Sequence, residues 1–138
     1  MTNFDHEKLD VYKVSIDFVV MMDQIIEQFP RGRAYLADQL QRAATSVPLN
    51  IAEGAGEYSG AEKNRFYRIA KRSATECAGI LDICVRLRLI DEEQYMKGRE
   101  LLMRIVSILT IPIMIEELEY TENQCFYFDR FEAAHNVL

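Results

Sequence analysis

Residues 36–53 read L-A-D-Q-L-Q-R-A-A-T-S-V-P-L-N-I-A-E, and their spacing admits one secondary structure. Apolar or small residues recur at Leu36, Leu40, Ala43, Val47 and Ile51, while Gln39, Arg42, Ser46, Asn50 and Glu53 repeat at the same three-to-four interval. This is a helix with an apolar stripe for a core and a polar line beside it. Pro48 falls inside the pattern, lacks an N–H and crowds the carbonyl of Ala44, at a cost of about 3 kcal/mol when nothing compensates. Because the apolar stripe continues to Ile51, the spacing predicts a kink, with Ser46 or Thr45 bonding a freed carbonyl. Pre-proline sterics would instead break the helix at Val47.

The rest of the chain repeats the helical period. Six glycines and three prolines in 138 residues are too few turn signals for an all-β fold. A first helix over residues 7–29 carries two apolar lines, one with Leu9, Tyr12, Ile16 and Val19, the other with Val11, Val14, Phe18, Met22, Ile25 and Phe29. That is more than one seam needs, so it is either sunk deep in a monomeric core or covered by something outside its own bundle. Pro30-Arg31-Gly32 forms the turn into helix two, residues 33–53. Ser59 and Glu62 fit a capping box opening helix three, residues 60–89, with Phe66, Ile69, Ala70, Ser73, Cys77, Ile80, Leu81, Cys84 and Leu87 on its inner line. Asp91-Glu92-Glu93 places three carboxylates in the first turn of helix four, which is expected to end near Glu119 and to kink at Pro112. The expected fold class is all-α, an antiparallel up-down-up-down four-helix bundle over residues 1–119, with an aromatic, acidic tail over 120–138. Phe126, Tyr127, Phe128 and Phe131 in that tail either dock on a groove, their own or a neighbouring subunit's, or stay disordered.

Charge and cysteines narrow the function classes. From Glu116 onward six carboxylates face Arg130 alone, so this stretch holds -5 of the chain's net -6. Avid nonspecific nucleic-acid binding is not expected of such a chain, although a local basic face is compatible with it. Cys77 and Cys84 lie two helical turns apart, about 10 Å, which exceeds the ~7 Å limit for a disulfide, so reduced, buried thiols are expected. The most apolar run, residues 105–115, is far short of the ~20 residues of a membrane span. With a polar N-terminus that does not resemble a signal peptide, a cytoplasmic protein without membrane association is expected. The glycines of residues 54–60 follow a helix, lack a Lys-Ser/Thr ending and are accompanied by Glu57; they fit a helix C-cap and turn rather than a phosphate loop.

The block Arg42-Ala43-Ala44-Thr45-Ser46-Val47-Pro48-Leu49-Asn50-Ile51-Ala52-Glu53-Gly54, then Ser59, Glu62, Phe66, Ala70, Ser73 and Glu76, with Phe4, Leu9, Val11 and Tyr12 upstream, resembles the bacterial four-helix-bundle proteins of the ribosomal-RNA intervening-sequence family. The resemblance covers residues 4–117. It implies a homopentameric ring or barrel of antiparallel bundles and no enzymatic activity. A related branch, the accessory variability determinant of diversity-generating retroelements, works with a reverse transcriptase and nucleic acid, and so implies both as partners. This chain differs from that branch in being acidic and in carrying the aromatic tail.

Two sets of residues are candidate sites. The polar line Gln39, Arg42, Ser46, Asn50 and Glu53 is expected to meet Ser73 and Glu76 of helix three, with an Arg42–Glu76 pair; it either satisfies polar groups between helices or forms a ligand or partner site. Lys63, Arg65, Arg68, Lys71 and Arg72, with Tyr67 as a stacking ring, form either a solvated, salt-bridged face or a contact for RNA or DNA. Catalysis, metals and cofactors are not expected: His6 and His135 are the sole histidines, near the two ends, and no Cys/His ligand spacing occurs. The expected function is a non-enzymatic, oligomeric, nucleic-acid-associated accessory module with its basic face on helix three. The alternative is a protein-interaction scaffold that does not bind nucleic acid.

Overall fold

The computed structural model describes residues 2–135, with side chains described for residues 2–124. Among these the chain is all-α: a 3-10 turn at Asp5–Lys8, then α1 (Asp10–Glu27), α2 (Ala34–Ala55), α3 (Gly60–Arg86) and α4 (Glu92–His135), with no strand. Each helix packs on the next in chain order, and α1 closes against α4. The connections are short, residues 28–33, 56–59 and 87–91, as neighbouring helices of a bundle require.

One stripe from each helix builds the core. α1 contributes Val11, Val14, Phe18, Met22 and Ile25; α2 contributes Leu36, Leu40, Ala43, Val47 and Ile51. α3 adds Ala70, Ala74, Cys77, Ile80, Leu81 and Cys84, and α4 adds Leu102, Ile105, Leu109 and Ile113. The second line of α1 divides: Leu9, Tyr12 and Val19 pack partly against the core, whereas Ile16 and Val20 are exposed. On α3 the expected Phe66, Ile69 and Leu87 are not core residues; Tyr67 packs there instead, Ile69 is exposed, and Leu87 becomes the C-cap after a helix shorter than its apolar pattern.

Helix ends follow side-chain chemistry. Ser59 accepts a hydrogen bond from the Glu62 N–H at 3.2 Å, but the Glu62 carboxylate turns to Arg65 at 3.2 Å, so only half of the expected box forms. The full reciprocal box is at α4, where Asp91 accepts from the Gln94 N–H at 2.7 Å and the Gln94 side chain accepts from the Asp91 N–H at 3.0 Å. Asp91 therefore caps the helix rather than joining its first turn. α4 runs sixteen residues past the expected end at Glu119, to His135. After Pro112 no glycine or proline interrupts it, and the backbone hydrogen bonds of a helix do not require an amphipathic pattern. α2 is continuous through the buried Pro48. The hydroxyls beside it do not bond the Ala44 carbonyl: Thr45 bonds the Gln41 and Arg42 carbonyls, and Ser46 reaches across to α3.

Two glycines are required by close approach rather than by turn geometry. A Cβ on Gly54 would lie 2.7 Å from Tyr67 Cε1 and 3.0 Å from the Lys63 carbonyl, and one on Gly98 would lie 2.8 Å from Leu81 Cδ1. Gly54 is thus a helix-interior contact of α2 with α3; the C-cap is Gly56, at φ -80°.

At the end of α3, the Leu89 N–H bonds the Cys84 carbonyl at 2.9 Å and the Arg88 N–H bonds the Val85 carbonyl at 3.1 Å, a Schellman pair that places Arg88 at φ 58°. The left-handed conformation costs a non-glycine residue about 1 kcal/mol. Arg88→Gly is therefore expected to stabilise the protein by about 1 kcal/mol and raise its Tm by about 4 °C, as a thermal melt followed by circular dichroism will show.

Candidate functional site

The polar line of α2 splits along its length. In the middle, Ser46 and Ser73 share a hydrogen bond of 2.8 Å, and the Asn50 amide donates to the Ser46 carbonyl at 2.8 Å and to its hydroxyl at 3.0 Å. Either serine hydroxyl can donate in that pair, and the Asn50 amide is held by Ser46, so each of the three side chains has a partner. Two turns earlier, Gln39 donates to Glu76 across a long 3.4 Å bond between exposed groups. The expected Arg42–Glu76 pair is not among the ion pairs of the described residues; Arg42 is exposed and Glu76 takes Gln39 instead. Glu53 diverges from the line and borders a cleft under the N-terminal turn with Phe4, Asp5 and His6. His6 stacks on Phe4 at 5.8 Å and meets the edge of Tyr12 at 4.6 Å.

The cations of α3 face two ways. Lys63 donates to the Ala55 carbonyl at 3.1 Å, supplying positive charge to the C-terminus of α2. Tyr67 lies on the same side against Gly54, half-buried, and burial pushes its phenol pKa up. Arg65 pairs with Glu62 and lies 4.8 Å over the Phe66 ring. Arg68, Lys71 and Arg72 face the other way and line a groove with Thr75 and with Ile113 and Glu117 of α4. Tyr67 is therefore not beside these three cations as a stacking platform.

A second polar cluster closes that groove. Asn64, only 5% exposed, donates to the Pro112 carbonyl at 3.0 Å and to Glu116 Oε2 at 2.9 Å, and Arg68 bonds the same carboxylate oxygen at 2.9 Å. Neither Asn64 nor Glu116 is in the sites expected from sequence. The available signal was position: Asn64 precedes Tyr67, Ala70 and Ala74 at helical spacing, so a polar residue stands on an inward line. No buried side-chain nitrogen or oxygen among the described residues lacks a partner.

Burial keeps the thiols inert. Cys77 and Cys84 are free and buried, as their spacing implied. Burial first, then the negative Glu76, pushes the Cys77 pKa up to about 12, and burial raises that of Cys84. Among the described residues no cluster of His, Cys, Asp and Glu could hold a metal ion, and no helix is long and apolar enough to cross a membrane.

Four packed helices joined by polar bridges between α2 and α3 and between α3 and α4 define a four-helix-bundle protein with a solid core. The model of the 23S rRNA-intervening sequence protein family matches residues 7–111, and the chain belongs to that family. A crystal structure of a protein of unknown function from the S23 ribosomal protein family of Bacteroides thetaiotaomicron is similar to it, with TM-score 0.67 and 25% identity over 72% of this chain and 94% of that one. No curated protein matches the chain.

Two measurements check this site. Asn64→Ala leaves buried acceptors short of a donor and is expected to cost about 1–3 kcal/mol in urea unfolding, more than Gln39→Ala, which loses only an exposed bond. In a Cys125→Ser background, Cys77 and Cys84 are expected to resist a thiol reagent at pH 8 in the native protein and to react in denaturant. The Cys77 pKa is raised on folding, so its stabilising contribution is complete below pH ~9, where both states hold the proton, and is lost as pH rises from there towards about 12.

Proposed function

We propose that this chain is a non-enzymatic, self-associating helical module of the cytoplasm, built as an antiparallel up-down-up-down bundle and assembled into a homopentamer. The antiparallel arrangement is supported by the order of the bonded pairs: 39–76, 46–73 and 55–63 between α2 and α3, and 64–116 and 82–95 between α3 and α4. Self-association is carried by one observation. On the outer face of α4, Met96, Met103, Ile111, Met114 and Leu118 fall at helical spacing, and each is more than half exposed. Ile111, Met114 and Leu118, with Ile115 beside them, form an unbroken exposed apolar patch about 10 Å long, whereas Glu100 and Ser107 interrupt the line back to Met103 and Met96. Single exposed apolar residues are ordinary, but a contiguous patch supports an interaction face. Ile16 and Val20 add a smaller apolar face on α1.

The non-enzymatic reading is supported by the inert thiols and by His6, which is occupied with two aromatic rings. A second reading, nucleic-acid contact through α3, is supported by Lys71 and Arg72, which line one groove and make no ion pair among the described residues.

Light scattering of the full chain tests the first reading. The expected mass is about 80 kDa, five copies of the 16.0 kDa chain, falling when Met103 and Met114 are both changed to Lys. A monomer at every concentration would falsify it. For the second reading, an RNA and DNA titration across salt is expected to give weak binding that Lys71→Glu/Arg72→Glu abolishes; no binding at low ionic strength sinks it.

A further inference from the structure

The groove between α3 and α4 is two-sided in character. At one end are Arg68, Lys71 and Arg72. At the other end, past the shared Thr75, the floor is Ala74 and Ala78 and the wall is Leu102, Met103 and Val106, with one cation, Arg99, that is already paired with Asp82 at 3.8 Å. The small residues on α3 leave depth for another helix, and although Glu117 borders the same groove, neither Lys71 nor Arg72 forms an ion pair among the described residues. An occupant that satisfies both ends must be apolar first and acidic after.

The same chain carries such a segment. Among the described residues the last cross-helix bonds that α4 makes with α3 are those of Pro112 and Glu116, after which residues 117–124 are all exposed. Ile115, Leu118, Glu119 and Glu122 stand at i, i+3, i+4 and i+7, so one face of this projecting helix reads apolar, apolar, acidic, acidic. Its order along the helix is the order of the groove. Both apolar residues are more than half exposed.

We infer that the projecting end of α4 from one copy docks in the α3/α4 groove of a second copy, with Ile115 and Leu118 over Ala74, Ala78 and Met103, and Glu119 and Glu122 against Lys71 and Arg72. The inference rests on the self-association reading and names one of its contacts. A nucleic-acid backbone fits the groove less well, because it would use only the cationic end and leave the apolar end open. Since tail and groove are different patches, the contact is heterologous and each copy offers both halves, so assembly continues past a dimer. The charged half is screened by salt while the apolar half is not.

Charge exchange in the full chain tests this. Lys71→Glu/Arg72→Glu and Glu119→Lys/Glu122→Lys, all at surface positions, are each expected to lower the mass measured by light scattering, and the quadruple variant is expected to restore it. Circular dichroism melts confirm that each variant folds; if either charge reversal unfolds, Lys71→Gln/Arg72→Gln and Glu119→Gln/Glu122→Gln take its place, with the same loss of mass expected. A wild-type assembly whose mass neither pair changes overturns the docking and leaves self-association standing. A wild-type monomer overturns both. Unchanged mass with lost RNA retention in the Lys71/Arg72 variant overturns the docking in favour of nucleic-acid contact.

Discussion

The close approach of α2 and α3 organises the rest of the molecule. Gly54 meets the Tyr67 ring and the Lys63 carbonyl with no room for a Cβ, so the backbones of α2 and α3 approach closely at that level. Dispersion contacts are individually ~0.1–0.2 kcal/mol, and their sum depends on the absence of gaps, which small residues on both helices provide. The larger side chains Phe18, Met22, Leu40, Leu81, Ile105 and Leu109 then fill the wider space towards α1 and α4. The same approach brings Ser46 within 2.8 Å of Ser73, so the polar line of α2 finds its partner because the apolar seam is narrow.

Both interior prolines sit beside a side-chain amide that bonds a carbonyl in the adjoining turn: Asn50 to the Ser46 carbonyl near Pro48, and Asn64 to the Pro112 carbonyl itself. The carbonyls freed by these prolines are those of Ala44 and Ile108, four residues earlier, so neither amide replaces the lost backbone bond; each adds a separate contact in the adjoining turn. At Pro48 the amide comes from the same helix and strengthens it locally. At Pro112 it comes from α3, and with Glu116 and Arg68 it ties the last bonded turn of α4 to the bundle. Beyond that tie residues 117–124 of α4 are exposed.

The basic run on α3 shows why sequence adjacency is a poor guide to a surface. Five cations within ten residues suggest one patch, yet a helix turns 100° per residue and distributes them over two sides. Lys63 caps α2, Arg65 is held by Glu62, and Arg68 by Glu116, which leaves Lys71 and Arg72 as the local positive charge. Two cations in a partly apolar groove are modest electrostatics for a polyanion and sufficient for a short acidic helix.

The helical period alone determined the all-α class, the four helices, nearly all of the core of α1 and α2 and the free state of Cys77 and Cys84, because each depends on spacing within one segment. The block around Pro48 was sufficient to point to the family. Tertiary structure decided the rest. Whether Glu76 pairs with Arg42 or Gln39, whether Tyr67 stacks outward or packs under Gly54, and whether Asn64 is solvated or buried against Pro112 all depend on distances between helices, which no periodicity encodes. The reach of α4 to His135 was likewise invisible to a reading based on apolar stripes, since a helix keeps its backbone hydrogen bonds where the sequence no longer shows an amphipathic pattern.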